Sequence, residues 1–573
     1  MTTFHIQQFG CRATQADGAA LERQLLDRGC TQAPDPATAS IVVLNTCTVT
    51  AAADAQARDA IRKIHAQNPH ARVIVTGCYA QRAPEELAAI PGVTWVVGNS
   101  HKPQILNLIT QITPLVHASG PDHQIVTNQQ TVIPSEARNP LFSRTSSDAP
   151  FHSVGAGLAP PSAPQLAKTP QLSAASDSAQ ILTGDIFAHP EFLSAPILGG
   201  ESHHTRPILK IQDGCNNRCS FCVIPYVRGK SRSLSPDTVI QEIQSLTSSH
   251  PPASRVGQPI LAVHQTTREI PVAQALLSVL PSSSHPTPTD SQSHSFSARE
   301  IVLSGINLGT YGRDLTPRAE FIDLIRRILD ETPIERLRIS SIEPQDVTQD
   351  LIDLFAQNDR IAQHFHMPLQ SASDPILAAM HRWYRSEHYA RRVQLIHDRL
   401  PNAALGADVI AGFPGETESD HNATLSFIDR HPFTYLHVFS YSPRPGTKAA
   451  KSPNHVPSHI IKRRARELRA LSESKSTHFR RAQIGLTLRV LTLHRKVNDD
   501  TADTDRLGAE QAHSEHTPAL TSNYLRVQVP GIFPSNQWMD VAIKSEEGNY
   551  LLGEPASTYN EFSVTSALSA SSV

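Results

Sequence analysis

Along the first hundred or so residues the apolar positions alternate between two rhythms. Short β-rich runs near Phe4–Gln8, Ile41–Leu44 and Arg72–Val75 are separated by stretches of helical spacing near Gly18–Arg28 and Asp54–Gln67. Through about residue 115 this alternation predicts an open parallel α/β sheet. The rhythm then stops. Residues 116–203 are rich in Ser, Pro, Ala and His without a sustained period, as in Pro160-Pro161-Ser162-Ala163-Pro164, and are expected to be a disordered linker. Between 204 and 445 strand-like runs recur at Ile208–Ile211, Glu300–Leu303, Arg336–Ser340, His364–Pro368, Gly406–Ile410 and Tyr435–Ser440, with helical patterns between them. Six such units predict a partial (β/α)6 barrel. A second low-complexity insertion over 250–297 falls inside it, which a barrel tolerates because lengthening a surface loop costs little entropy. Residues 446–482 form a connecting segment with a helix expected over Ile461–Ala482. After it, runs at Leu486–Leu493, Leu525–Val529, Met539–Ile543 and Tyr550–Leu552 predict a small antiparallel β-barrel over 483–560, broken by a polar loop at 495–520 and followed by a tail, 561–573.

Composition agrees with several cores joined by linker. At 573 residues the chain is several times the usual domain size of ~100–150. Its hydrophobic share of 39% is below the ~45–50% of ordinary domains, and its 43 prolines exceed the usual share of ~5%. The balance of 51 Lys and Arg against 53 Asp and Glu leaves a net charge of −2, so any RNA partner requires a local basic patch rather than an overall cationic field. One candidate is the predicted helix at 461–482, with Lys462, Arg463, Arg464, Arg466, Arg469, Lys475, Arg480 and Arg481, diluted by Glu467 and Glu473. The alternative is a solvated helix face. No 18-residue apolar run occurs, and Met1-Thr2-Thr3-Phe4-His5 lacks a signal-peptide pattern, which predicts a soluble cytoplasmic protein with no membrane partner.

Seven cysteines in an intracellular chain are expected to be ligands or thiols rather than disulfides. Cys215-Asn216-Asn217-Arg218-Cys219-Ser220-Phe221-Cys222 is a C-x-x-x-C-x-x-C run directly after the first strand of the barrel. Three thiolates so close can hold three corners of a four-iron four-sulfur cube, leaving one iron open to an exogenous molecule. A zinc site, or a fourth ligand from elsewhere, is the alternative. A second group is scattered in sequence: Cys11 follows the first strand, Cys47 ends Ile41-Val42-Val43-Leu44-Asn45-Thr46-Cys47, and Cys78 ends Val73-Ile74-Val75-Thr76-Gly77-Cys78. Ligands collect outside the carboxyl ends of strands in open parallel sheets, so three strands can deliver a second trio to one edge. Buried structural cysteines would be the plainer account, and it is the one that fits Cys30.

These residues resemble the methylthiotransferase family of radical-SAM proteins, in the branch acting on N6-threonylcarbamoyladenosine in tRNA. The resemblance is carried by Phe9-Gly10-Cys11, Asn45-Thr46-Cys47-Thr48-Val49-Thr50, Thr76-Gly77-Cys78-Tyr79-Ala80-Gln81, Lys210-Ile211-Gln212-Asp213-Gly214-Cys215, Ser340-Ser341-Ile342-Glu343-Pro344, Pro368-Leu369-Gln370-Ser371 and Asp408-Val409-Ile410-Ala411-Gly412-Phe413-Pro414-Gly415-Glu416-Thr417. It implies an amino-terminal domain with an auxiliary cluster on Cys11, Cys47 and Cys78, and a barrel with the radical cluster on Cys215, Cys219 and Cys222. The carboxy-terminal barrel would be an RNA-binding TRAM-like domain. The implied cofactors are two 4Fe–4S clusters and S-adenosyl-L-methionine, and the implied partners are tRNA and an electron donor such as flavodoxin or ferredoxin. The implied reaction places a methylthio group on C2 of the modified adenosine at position 37, beside the anticodon. That C2–H bond is beyond acid–base chemistry, and a carbon-centred radical opens it while the protein orients the substrate and excludes water.

Phe221 is expected near the cofactor's adenine or in core packing, and Gly305, Gly412 and Gly415 near the cofactor or in turns. Glu343 completes the candidate cofactor-binding set. Where the family shows Asn and then Gln after the first cysteine, this chain has Arg12-Ala13-Thr14-Gln15. Rival readings are methylthiolation of a ribosomal-protein aspartate, and a non-catalytic iron–sulfur electron carrier or RNA-binding sensor.

Overall fold

The protein is described here by a computed structural model covering residues 2–112, 179–188, 193, 205–248, 297–494 and 515–556. Most of the expected linker, the insertion at 250–296, the loop at 495–514 and the tail fall outside these described residues.

The first elements are β1 (Thr3–Gln8), α1 (Arg12–Asp27), β2 (Thr31–Gln32), β3 (Ile41–Thr46), α2 (Ala51–Gln67), β4 (Arg72–Gly77), α3 (Cys78–Arg82), α4 (Pro84–Ala88), β5 (Val93–Gly98) and α5 (Ile105–Ile112). A three-residue strand, β6 (Gln180–Leu182), arises within the stretch expected to be linker. The six strands make one parallel sheet in the order β2-β1-β3-β4-β5-β6. Central strands buried on both faces read as unbroken apolar runs, which is why β3 and β4 show no alternation. β6 has no local pattern of its own. It is held by pairing with Trp95–Val97 and by bonds from Gln81 to the Gly184 carbonyl (3.0 Å) and from Gly184 N–H to Ser100 (3.0 Å).

The central region runs β7 (Ile208–Asp213), α6 (Ile224–Arg228), β8 (Arg232–Ser233), α7 (Pro236–Thr247), β9 (Glu300–Gly305), α8 (Phe321–Glu331), β10 (Arg336–Ile339), α9 (Gln349–Gln357), β11 (His364–His366), α10 (Asp374–Ala379), α11 (Ser386–Arg399), β12 (Ala404–Ala411), α12 (Glu418–Arg430) and β13 (Tyr435–Ser440). All six expected parallel strands are present, as β10-β9-β7 and β11-β12-β13, joined by a parallel bridge between Leu337 and Ile361. Side chains alternate with period two. Leu209, Ile211, Ile301, Leu303, Leu337, Ile339, Phe365, Ala407, Val409 and Leu436 enter one core beneath the helices. The intervening residues, including Lys210, Arg338, His366, Asp408 and His437, face the other way and give the inside of the partial barrel a polar, charged lining.

The helix α13 (Ser458–Arg481) leads into β14 (Thr487–Thr492), β15 (His516–Thr521), β16 (Arg526–Pro530), β17 (Trp538–Glu547) and β18 (Tyr550–Pro555), a closed barrel ordered β14-β15-β16-β18-β17. It is not wholly antiparallel, because β16 and β18 pair in parallel through Val527–Leu551 and Gln528–Leu552. Part of the expected polar loop is the strand β15. Arg336 and Arg338 of the central barrel donate to the carbonyls of Leu520, Thr521 and Ser522 in this small barrel at 3.0–3.1 Å. Among the described residues no helix is long and apolar enough to cross a membrane.

Candidate active site

The strand order of the first sheet reverses direction of growth between β1 and β3, and ligands in such sheets sit at that crevice. Cys11 follows β1 as the residue capping α1, Cys47 follows β3, and Cys78 opens α3 after β4. The three are mutual electrostatic neighbours: burial pushes the Cys47 thiol up to about 12, with Cys11 and Cys78 adding to the rise. Gly10 (φ +108°) is required here, since a Cβ on it would lie 2.8 Å from the Cys47 Sγ. Cys78 is fully buried, and Asn99 donates both to its Sγ (3.6 Å) and to the Val227 carbonyl of α6 (2.7 Å).

Cys215, Cys219 and Cys222 occupy the loop between β7 and α6. The amide of Asn217 points at the Cys215 Sγ (3.4 Å), Asn307 approaches it at 3.9 Å, and Arg382 donates to the Cys219 Sγ at 3.4 Å. Burial pushes Cys222 up to about 12. Cys47 and Cys78 are buried, Cys215, Cys219 and Cys222 half-buried and Cys11 exposed; burial disfavours ionising Cys47, Cys78, Cys215 and Cys222, which a bound metal centre would offset by stabilising the thiolates. A single tetrahedral zinc with bonds of 2.3 Å needs sulfurs ~3.8 Å apart. Among the described residues the trio of potential ligand atoms lying within 4.8 Å of one another is His366, Asp408 and His437, and neither cysteine trio is that tight. Neither trio is drawn together as a single-ion zinc site would be. Cys30 is buried apart from them.

The two sites adjoin. α6 begins two residues after Cys222 and ends at Arg228, whose charge acts on Cys78 and Cys47, and five helical residues span only ~8 Å. Arg228 is itself fixed by Asp213 (3.0 Å) and Asp17 of α1 (3.1 Å). Lys210 bonds both of the same carboxylates and Lys102 bonds Asp17 at 2.8 Å, so the sheet domain and the barrel meet over a fully buried charge network. A second link lies beside Cys47, where Asp54 takes Arg82 (3.1 Å) and Arg444 (2.8 Å), and Arg444 also donates to the Thr48 carbonyl.

The other expected residues are placed as follows. Glu343 lies after β10, half-buried, its carboxyl raised by desolvation and held by the guanidinium of Arg382, the same group that bonds Cys219. Phe221 packs edge-on against Phe413 at 6.3 Å, in an apolar cluster with Ile376, Met380 and Ile410. Packing accounts for two of the glycines. A Cβ on Gly305 would meet Leu308 and Gln212, and one on Gly412 (φ +79°) would meet Ile461 of α13 at 2.3 Å. Gly415 (φ +86°) has open space.

The basic helix differs from its sequence reading. Arg463 and Arg464 pair with Glu418 and Glu416, Arg480 and Arg481 with Glu546, and Lys475 and Arg469 donate to backbone carbonyls. Most of its cations therefore hold the helix to the two barrels. Lys462 and Arg466 form no ion pair among the described residues.

Sequence reasoning missed Arg382, Asp17 and the polar interior of the barrel. There Asp408 accepts from His366 (3.0 Å) and His437 (3.4 Å), while the Tyr435 hydroxyl bridges His364 (2.8 Å) and His366 (2.9 Å). Burial alone would raise Asp408, but the two imidazoles hold it below the usual carboxylate range.

Comparison with known proteins agrees with this geometry. Residues 3–98 match the model of the uncharacterized protein family UPF0004, and residues 298–428 match that of the Radical SAM superfamily. A cysteine-bearing loop at the first strand of a parallel partial barrel, with that match, defines a radical-SAM iron–sulfur enzyme using S-adenosylmethionine. The threonylcarbamoyladenosine tRNA methylthiotransferase of Bacillus subtilis is 30% identical over 482 residues, covering 84% of this chain and 82% of its own length. That of Aquifex aeolicus is 29% identical, covering 88% and 97%. The tRNA-2-methylthio-N(6)-dimethylallyladenosine synthase of Syntrophobacter fumaroxidans is 28% identical, covering 85% and 84%. The chain belongs to the radical-SAM methylthiotransferase family, in the branch that bears the threonylcarbamoyladenosine name.

Proposed function

We propose that this chain replaces the C2 hydrogen of N6-threonylcarbamoyladenosine at position 37 of tRNA with a methylthio group. The observation that carries the reading is the adjacency of two cysteine trios, one from each domain, on either side of α6. Cys215, Cys219 and Cys222 would hold the radical cluster, which with S-adenosylmethionine supplies a carbon-centred radical. Cys11, Cys47 and Cys78 would hold the auxiliary cluster at the sulfur-donating side.

The chain's own residues position the reactants. Glu343 and Arg382, a half-buried carboxylate and a buried guanidinium beside Cys219, suit the zwitterionic amino-acid end of S-adenosylmethionine. The domain junction over Asp17 and Asp213 is a buried charge network that fixes Arg228 beside Cys78, and the TRAM-like barrel would supply an RNA-facing surface. Arg382→Met is expected to raise KM for S-adenosylmethionine ~10–100-fold, as is usual when a supporting partner of a ligand is lost. Initial rates of 5′-deoxyadenosine formation against cofactor concentration measure it.

The test is anaerobic reconstitution with reductant, S-adenosylmethionine and tRNA bearing threonylcarbamoyladenosine, followed by digestion and mass spectrometry of the nucleosides. A methylthio nucleoside absent with Cys219→Ala supports the reading. 5′-Deoxyadenosine with unaltered tRNA overturns the substrate, and neither product points to an electron carrier or sensor.

A further inference from the structure

Arg12, the residue directly after Cys11, has an unusual setting in the structure. Its guanidinium is half-buried and donates to the Tyr524 hydroxyl at 3.4 Å. The Tyr524 ring stacks on His364 (centroids 4.5 Å apart) and tilts against Tyr435 (6.2 Å), so Arg12 reaches from the auxiliary trio into the polar interior of the barrel. His364 is held well below its ordinary range by burial, then by Arg338, His366 and Arg12, which keeps it neutral there.

Neighbouring buried guanidiniums have carboxylates. Arg338 has Glu300 (2.8 Å), Arg228 has Asp213 and Asp17, and Arg382 has Glu343. Among the described residues Arg12 has the Tyr524 hydroxyl alone as a partner. Asp408, a carboxylate lining the barrel interior, is engaged by His366 and His437. A half-buried guanidinium fixed by one phenol and lacking a counter-ion can offer an anion planar, two-pronged geometry.

We propose that Arg12 binds the carboxylate of the threonyl group on the substrate nucleoside and is the residue that selects an acidic N6 substituent over an apolar one. This inference rests on the substrate reading above. On a purine, N6 and C2 flank N1 along one edge. A carboxylate anchored one residue from Cys11 therefore turns that edge, and C2 with it, toward the auxiliary trio.

The test uses the full-length, cluster-loaded protein and two synthetic anticodon stem–loop RNAs. One carries threonylcarbamoyladenosine and the other its threonyl methyl ester, which keeps the shape and removes the charge. Fluorescence anisotropy gives Kd for each. The wild-type protein is expected to bind the acid ~30-fold more tightly than the ester, the size of a charge-assisted pair. Arg12→Gln is expected to bind both with the weaker affinity, and Arg12→Lys to recover part of the difference. Equal wild-type affinity for acid and ester overturns the proposal, as does ~30-fold discrimination retained by Arg12→Gln. The wild-type comparison stands even if the Gln variant fails to load its clusters. Product formation by the wild type on the acid RNA separates the two failures: no methylthio product sinks the substrate reading, whereas product without discrimination sinks only the role of Arg12.

Discussion

In the Cys47→Ala protein, methylthio product is expected to fall to background while S-adenosylmethionine is still cleaved, and iron is expected to drop from about eight to about four atoms per chain, the content of one 4Fe–4S cluster. The separation follows from where the cysteines come from. Cys47 is set by β3 and by the close approach of Gly10, within a sheet whose core, built on Val42, Leu44, Val73 and Val75, is distinct from that of the barrel. Cys219 sits in a loop braced by barrel residues: Ser220 N–H donates to the Met380 carbonyl (3.0 Å), and Arg382 holds the sulfur. Losing one trio should leave the other assembled. The reciprocal variant, Cys219→Ala, should lose both cleavage and product. Iron content with 5′-deoxyadenosine and nucleoside analysis reads all three quantities, and a Cys47→Ala protein that still forms product would remove the auxiliary site from the account.

Asp17→Asn is expected to lower stability by ~3–5 kcal/mol, the usual loss when one partner of a buried ion network is removed. Lys102, Lys210 and Arg228 converge on Asp17, and its neutralisation leaves Lys210 and Arg228 with Asp213 as their carboxylate and Lys102 with the Asn45 side-chain oxygen. Burial by itself would raise both carboxyls. Around Asp17 the cations Lys102, Lys210 and Arg228 outweigh that effect, as Arg228, Lys210 and Arg232 do around Asp213, and both groups lie below the ordinary carboxylate range. The unfolded chain, with carboxyls near ~4, then takes up more protons than the folded one as acid is added. The stabilisation is thus present above about pH 4 and lost as the pH falls below it. Thermal melts should show the wild-type Tm falling more steeply below that pH than the variant's. Equal melting temperatures at neutral pH, or parallel pH profiles, would mean that the network does not hold the domains together.

Much of this was legible in the sequence because the pattern was local. The apolar runs of β3, β4 and β12 announced buried parallel strands, and a cysteine at the end of a strand is visible without coordinates. What depended on distant partners was not. β5 is a short apolar run, Val93-Thr94-Trp95-Val96-Val97, of a kind that periodicity cannot separate from a buried helix segment. β6 exists through its pairing with Trp95–Val97 in a Ser- and Pro-rich context. β15 contains Pro518, which argues against a strand, yet in the closed barrel that position offers its carbonyl to the Leu493 N–H (2.7 Å). Charge offered the least guidance. The cations of α13 suggested RNA, but their carboxylates lie at the start of α12, just before it and on β17, and Asp17 meets Lys210 across 193 positions of sequence. The identities of Arg12 and Arg382 carried no signal until folding placed one beside Cys11 and Tyr524 and the other beside Cys219 and Glu343.

The most direct test of the account follows the C2 hydrogen itself. A stem–loop RNA carrying threonylcarbamoyladenosine with deuterium at C2 would be incubated with the reconstituted protein, reductant and S-adenosylmethionine, and its nucleosides weighed. The account predicts a product that gains a methylthio group and loses the deuterium. A methylthio product that keeps its deuterium would place the reaction elsewhere on the nucleoside and contradict it.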